Sequence, residues 1–391
     1  MSTQTRTMLL NMGPHHPATH GVLRLELELE GETVLRAQPH VGYLHRGFEK
    51  MAEYKTAQQI IPLTDRLDYA AASVNNLGFC LTVEKLLGIE VPKRAQYLRI
   101  IMAELSRIMG HQLWLGTHAL DIGAMTPIFY AFADRELAMD ITEEASGYRL
   151  TPSYLRIGGV SQDITPEFVR KVREYVQKMP KAIDGYHQLL TENPIWMKRT
   201  KGIGVIGADT ALNYGLTGPC LRGSGVAYDV RKSVPYSSYS DFDFQIPIGE
   251  DGDSYDRYLV RMEEFTQSVR IIEQAIENLP SGPIMADNPW TSNPDLEAVS
   301  QNVDDIIRRF KISSQGFTLP PGETYHAVEG AKGELGFYLV GNGESHPYRL
   351  KIRSPCYYLV SALPYLIEGH MIADVITLIG SIDIVLGEVD R

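Results

Sequence analysis

Cysteine is scarce in this sequence. The 391 residues include three, at positions 80, 220 and 356, and no CxxC pair. Such spacing cannot by itself supply the ligand set of a zinc ribbon or a standard iron–sulfur cluster. The count fits a reduced, cytoplasmic compartment. An excess of basic residues is also missing. The chain has 37 Lys and Arg against 48 Asp and Glu, a formal net charge of −11. This argues against nonspecific nucleic-acid binding, which needs a basic face. The first residues lack the basic and apolar regions of a secretory signal. The longest apolar stretch near the end, MIADVITLIGSIDIVLG, is short and carries Asp374 and Asp383. No membrane span is expected from it, so any membrane role is expected to be peripheral, through partners. There is no internal repeat and no low-complexity linker.

What is present reads as an ordinary globular chain, 44% hydrophobic and long enough to bury a substantial core. The segment VLRLELELEGETVLRAQPHVGYLH reads as a hairpin. Val22, Leu23, Leu25, Leu27 and Leu29 interleave with Arg24, Glu26, Glu28 and Glu30, and Gly31-Glu32 makes the turn. One apolar face and one charged face predict a sheet that covers one side of something else. From about residue 55 the period changes. After Pro92, residues Leu98, Ile101, Met102, Leu105, Ile108 and Met109 fall at spacings of three and four. They predict a helix of about 26 residues, roughly 39 Å long. Two further helices open with Thr-Pro (126–127 and 165–166), and a fourth enters through Asp253-Ser254. The segment GELGFYLVGNGESHPYRLKIRSP returns to strand-like alternation with a Gly-Asn-Gly turn. The expected fold class is α+β: a central bundle of long helices flanked by small antiparallel sheets. The expected organisation is one integrated unit. An N-terminal β-hairpin region (1–54) carries a histidine loop, a helical core follows (55–310), and a C-terminal strand region and tail (311–391) pack on the core.

Three segments carry possible chemistry. KGIGVIGADTALNYG holds GxGxxG at Gly202, Gly204 and Gly207, with Asp229 some twenty residues on. A dinucleotide fingerprint requires an apolar strand before it. The preceding NPIWMKRTK is charged, which favours a glycine-rich turn into a short helix. LRGSGVAYDVRK has glycines and basic residues that could hold an anion, but it lacks the GK[ST] ending, which favours a structural loop. NMGPHHPATHG places His15, His16 and His20 just before the first hairpin. A metal site, a proton donor and a hydrogen-bonded turn are all open there. Pro17 breaks any helix between His16 and His20, and no HExxH occurs, although His40 and His45 flank the return strand and could approach. A histidine on a hairpin tip suits proton donation near neutral pH.

Eight blocks in chain order carry a resemblance to a known family. They are NMGPHHPATHGVLRL, GYLHRGFEK, LTDRLDYAA, VPKRAQYLRIIMAELSRI, YLRIGGV, GPCLRGSGVAYDVRK, KGELGFYLVGNG and GSIDIVLGEVDR. Together they resemble the D-subunit family of bacterial NADH-quinone oxidoreductase, respiratory complex I, from Asn11 to Arg391. That family is related to the large subunit of nickel-iron hydrogenases, whose motifs can be traced here. Hydrogenases carry RGxE, sixteen residues, then RxCGxC. Here RGFE ends at Glu49, and Arg66 follows sixteen residues later, with Asp68 and Ala71 at the cysteine positions. The second hydrogenase motif, DPCxxCxxH, resembles DIVLGEVDR, in which Asp383 is kept and Val385 and Glu388 replace the cysteines. Nickel needs soft thiolates at such a site, so a hydrogenase reading fails.

The resemblance implies a hydrogenase large-subunit-like fold and a peripheral-arm subunit of a proton-translocating NADH:quinone oxidoreductase, not active alone. It implies a quinone as substrate, held at its headgroup by His20 and Tyr69. It implies a [4Fe–4S] cluster in the partnering B subunit, with Arg66 beside it, and no metal in this chain. Asp121 matches the family's acidic partner of the histidine, so the implied catalytic set is His20, Tyr69 and Asp121. His15 and His16 are expected to be structural or supporting. An imidazole and a phenol on opposite carbonyls would both bind a quinone and protonate it on reduction. Thr151 stands where relatives carry a histidine, and threonine does not titrate in this range. The other implied partners are the C and I subunits and the membrane-embedded H subunit. NADH would bind elsewhere in the complex, in agreement with the demotion of GxGxxG. The expected location is the cytoplasmic face of the bacterial inner membrane. Two neighbouring readings stay open: the equivalent subunit of a ferredoxin-linked plastoquinone oxidoreductase, and a non-catalytic scaffold.

Overall fold

The computed structural model describes residues 7–15, 21–288 and 296–391. The fold is α+β, a helical core with small antiparallel sheets on it. The central element is the Lys93–Asp121 helix, 29 residues rather than 26, so roughly 44 Å long. Its six periodic residues are all buried. So are Arg99, Glu104, Arg107, His111 and Gln112 on its other faces, because helices surround it. The Ala72–Leu87, Thr126–Ser146 and Ser254–Glu277 helices all pack against it, and the Pro166–Leu190 helix packs on the last two. Buried charge is tolerable only when paired. Arg99 accordingly meets Glu84 through Nη1 (3.0 Å) and Nη2 (2.5 Å), and Glu84 Oε1 also accepts the Gly158 N–H at 2.7 Å. Two of the expected helix starts are capped by side chains. Thr165 accepts from Phe168 N, and Asp253 accepts from Asp256 N, satisfying N–H groups that have no partner within the helix.

Strands β1 (Thr7–Met12), β2 (Arg24–Glu30) and β3 (Thr33–His40) form one antiparallel sheet in that order. The expected β2–β3 hairpin is present, with Gly31 at φ 64° in the turn. Leu25, Leu27 and Leu29 lie on its buried face. What they cover is the C-terminal part of the chain. The Pro355–Ile367 and Ile372–Ile382 helices share a core with Leu23–Leu29 and Val34. Backbone hydrogen bonds run from Val34 N to His370 O (2.9 Å) and from Gly369 N to Val34 O (2.8 Å). Both helices lie in what sequence alone left as a tail. The MIADVITLIGSIDIVLG stretch forms the second of them, only 11 residues long. No helix among the described residues is long and apolar enough to cross a membrane.

A two-residue ladder, β4 (Leu155–Arg156) with β5 (Gly159–Val160), follows the Thr126–Ser146 helix. The third sheet is β6 (Gly322–Glu329), β7 (Glu334–Gly341) and β8 (Arg349–Arg353), antiparallel in chain order. It lies on the Ala72–Leu87 helix, and Gly78 permits the approach. A Cβ there would stand 2.9 Å from Phe337 Cε2. The tight β6–β7 turn, Gly330 to Gly333, thereby reaches the middle of the long central helix. A Cβ on Gly110 of that helix would stand 3.4 Å from Ala331 Cβ and 3.6 Å from Lys332 Nζ.

Candidate functional site

The loop from Asp65 to Ala71 joins the Ala57–Thr64 and Ala72–Leu87 helices, and several contacts fix it. Asp65 is buried and accepts from the Ser153 hydroxyl. Burial pushes the Asp65 carboxyl up to about 6, against the opposing pull of Ser153, Asn76 and Arg66. Asp68 Oδ1 accepts from Ala70 N at 3.1 Å, and Asn75 Nδ2 donates to Asp68 O at 3.0 Å. Arg46 Nη2 donates to Arg66 O at 2.9 Å and to Gly387 O at 3.1 Å. This one guanidinium ties the RGFE motif to the loop and to the C-terminal turn.

Tyr69 sits at the crest of that loop, 43% exposed. Burial of the remainder, and then the Asp68 carboxylate, raise its hydroxyl above the ordinary phenol value. It is therefore a protonated donor at neutral pH. Arg66 is half exposed, its Nη1 donating to Pro62 O at 2.5 Å and 3.8 Å from Asp65 Oδ2. Thr151 is half-buried, two residues before the Ser153 that bonds Asp65. The structure thus brings Tyr69, Arg66 and the Thr151 segment together. Asp121 is the last residue of the central helix. It lies eleven residues, roughly 16 Å along the axis, beyond Gly110, the level at which Ala71 and Lys332 pack. His16 and His20 lie outside the described residues. His15 is exposed. His45 Nδ1 lies 2.6 Å from Asp390 O and His40 Nε2 3.7 Å from Glu26, so each takes its own structural contact instead of converging with the other.

The hydrogenase cysteine positions do converge behind Tyr69. Gly387 lies against the loop so closely that a Cβ on it would stand 2.7 Å from Leu67 O. This places Glu388 and Val385 beside Asp68. All are buried. Lys332 Nζ lies 3.2 Å from Asp68 Oδ2 and 3.5 Å from Asp383 Oδ2. Burial works against its charge, but Asp383 and Asp68 more than offset this and raise its pKa. Asp383 holds a left-handed conformation (φ 52°, ψ 57°) at the end of the Ile372–Ile382 helix, which aims its carboxylate back at Lys332. Cys356 Sγ accepts from Val385 N at 3.4 Å. Among the described residues no cluster of His, Cys, Asp or Glu is arranged to hold a metal ion. The positive charge here comes from the chain itself, as an ammonium.

Lys332 and Cys356 were not singled out by sequence reasoning. The available signal was a single lysine in a Gly-Ala-Lys-Gly turn, where Gly333 has φ 138° and a Cβ would meet Thr217 Oγ1 at 2.6 Å. Glu49, the last residue of RGFE, bonds Lys351 Nζ (3.0 Å), Ile352 N (3.0 Å) and Arg391 Nε (3.3 Å). Its role is to clamp β8 and the C-terminal residues together.

The other two segments resolve as structural. Gly202–Gly207 follows the Pro194–Thr200 helix, with no strand before it, and leads into the six-residue Ala208–Asn213 helix. Asp229 bonds Arg231 (Nη2, 2.6 Å) and caps the turn that follows. In LRGSGVAYDVRK, Arg222 is fully buried, with Nη2 2.5 Å from Glu264 and Nη1 2.7 Å from Glu329. Neither arginine is available to an outside anion.

Comparison with known proteins shows the family to which the chain belongs. The model of the family described as "Respiratory-chain NADH dehydrogenase, 49 Kd subunit" matches residues 121–391. The NADH-quinone oxidoreductase D subunit of Geotalea uraniireducens is 53% identical over 387 residues, covering 99% of each chain. The Geobacter sulfurreducens protein of that name is 52% identical over the same length and coverage. The D 2 subunit of Chloroflexus aurantiacus is 49% identical over 391 residues, 99% of this chain and 95% of its own. With more than half of the chain matched by the family model and full-length relatives near half identity, the chain belongs to the 49-kDa, or D-subunit, family of NADH-quinone oxidoreductase and is one component of that oxidoreductase complex.

Proposed function

We propose that this chain forms the quinone headgroup site of its complex and helps to protonate the reduced quinone. The observation that supports this best is Tyr69. It is a part-exposed phenol, held protonated, beside a buried cluster in which an ammonium, Lys332, faces Asp68 and no thiolate stands at the hydrogenase cysteine positions. A quinone that takes two electrons must take two protons. Tyr69 would donate to one carbonyl, and His20 to the other, with Asp121 orienting the imidazole. The electrons would arrive from an iron–sulfur cluster carried by the B subunit. Arg66, half exposed beside the loop, would face that cluster and favour its reduced, more negative state. The C and I subunits and the membrane-embedded H subunit complete the proposed surroundings, at the cytoplasmic face of the inner membrane. Proton translocation would belong to the membrane subunits.

The test compares membranes from wild type, His20→Ala and Tyr69→Phe. NADH:quinone reduction is the readout and NADH:ferricyanide reduction the control for assembly. A fall in quinone reduction of about tenfold or more, with ferricyanide reduction kept, is expected. Retention of both activities would overturn the assignment in favour of a scaffold. Absence of both in wild type would point to a donor other than NADH.

A further inference from the structure

The buried cluster behind Tyr69 holds three carboxyl groups and one ammonium. Asp68, Asp383 and Glu388 are each less than a tenth exposed. Among the described residues, Lys332 is the only cation within ion-pair distance of Asp68 or Asp383, and none lies that close to Glu388. The remaining groups facing Glu388 are the buried thiol of Cys356 and, at longer range, the guanidinium of Arg353. Arg353 is already committed to Thr217 Oγ1, Glu334 O and Gly215 O. Tyr69 is faced in turn by Asp68, Lys332, Cys356 and Arg46. One ammonium against three buried carboxylates leaves a charge that low-dielectric surroundings do not support, and a buried carboxyl in that position takes up a proton.

We propose that Glu388 is a proton-storing positioning residue, which returns a proton to Tyr69 by way of Asp68 after Tyr69 has protonated the quinone. The inference rests on the quinone reading above. Two electrons come from the partner's iron–sulfur centre. The Tyr69 O–H bond breaks as one quinol O–H forms, leaving a phenolate. The Glu388 O–H bond then breaks, its proton passes over Asp68, and the Tyr69 O–H re-forms. Glu388 is left as a carboxylate and is recharged from solvent before the next turnover. Gly387 brings the two ends of this relay onto one loop, because it seats the turn that carries Glu388 directly on the backbone of Arg66 and Leu67, next to Asp68. The Asp68 carboxylate, 3.2 Å from Lys332 Nζ, takes the proton and passes it on. Burial, followed by the Asp68 charge, pushes the Glu388 carboxyl up to about 7. The store is therefore filled below neutral pH and empties above it.

The experiment uses the intact complex and infrared difference spectra on quinone reduction, with Glu388→Gln and Glu388→Asp. Glutamine has the size and neutrality of the protonated acid, so assembly should hold, as NADH:ferricyanide reduction will report. In wild type, a protonated-carboxyl C=O signal is expected to be lost or shifted on quinone reduction. It should be missing in Glu388→Gln and return at a moved frequency in Glu388→Asp. The wild-type quinone-reduction rate should fall as pH rises through about 7. In Glu388→Gln it should be flat with pH and about tenfold lower on the acidic side, with Glu388→Asp restoring the slope. A carboxyl signal that persists in Glu388→Gln, or an unchanged pH profile, overturns the proposal. If Glu388→Gln does not assemble, the shifted signal in Glu388→Asp decides alone, and its absence also overturns the proposal. A failure of the quinone reading is seen separately, as normal quinone reduction in Tyr69→Phe.

Discussion

Lys332 Nζ lies 3.2 Å from Asp68 Oδ2, with side-chain exposures of 2% and 5%. The two residues are brought together by the tip of the β6–β7 hairpin and the loop that carries Tyr69. Removing one partner of a buried pair strands the other charge, at a cost of about 3–5 kcal/mol. Lys332→Met should therefore lower the amount of assembled complex, while Asp68→Asn with Lys332→Met should recover part of it. The polypeptide content of purified membranes measures this. Equal loss in the single and double variants would show that the pair is not coupled.

Gly387→Ala tests how closely the C-terminal turn must sit on the loop. A Cβ would stand 2.7 Å from Leu67 O and 3.0 Å from Arg66 O, both backbone atoms. Either the turn or the loop has to move. Quinone reduction is expected to fall several-fold while NADH:ferricyanide reduction holds, since the displacement is local to Tyr69 and Glu388. An unaltered quinone KM and rate would count against a site in this loop.

Arg66→Met should shift the midpoint potential of the neighbouring polypeptide's cluster downward, on the order of tens of millivolts. One positive charge is removed from beside a group that becomes more negative on reduction. Redox titration followed by electron paramagnetic resonance reads the shift. An unchanged potential would place Arg66 away from the cluster.

Gly204→Ala separates the two readings of the GxGxxG segment. Gly204 has φ 64°, and a Cβ would lie 2.1 Å from Leu378 Cδ2, on the buried face of the Ile372–Ile382 helix. The variant should reduce the level of assembled enzyme and leave the KM for NADH in the remainder unchanged. A raised KM for NADH would restore the dinucleotide reading.

The sequence by itself determined the helical core, because apolar residues recur along one face of a helix even where its other faces carry buried, paired charge. Leu98 to Met109 mark one face at spacings of three and four, Thr165 and Asp253 mark helix starts, and the alternation from Leu23 to Glu30 marks a half-buried strand. It also carried the RGFE and DIVLGEVDR positions, and with them the loss of a thiolate metal site. The Pro355–Ile367 and Ile372–Ile382 helices were not legible in this way. The Pro355–Ile367 helix keeps an exposed face, but two of the residues on it are tyrosines, Tyr357 and Tyr365; the Ile372–Ile382 helix meets the core of the first sheet on one side and the central bundle on another. A segment buried nearly all round shows no polar stripe. Only the tertiary structure decided the buried cluster. Asp68, Lys332, Cys356, Asp383 and Glu388 come from separate parts of the chain. None carries a local signal of its role, because a lysine or a glutamate in sequence is most often a solvated surface group. Burial and mutual distance turn them into one ammonium paired with two carboxylates, with the Glu388 carboxyl and the Cys356 thiol buried beside them, and those two quantities exist only once the hairpin, the loop and the C-terminal turn have met.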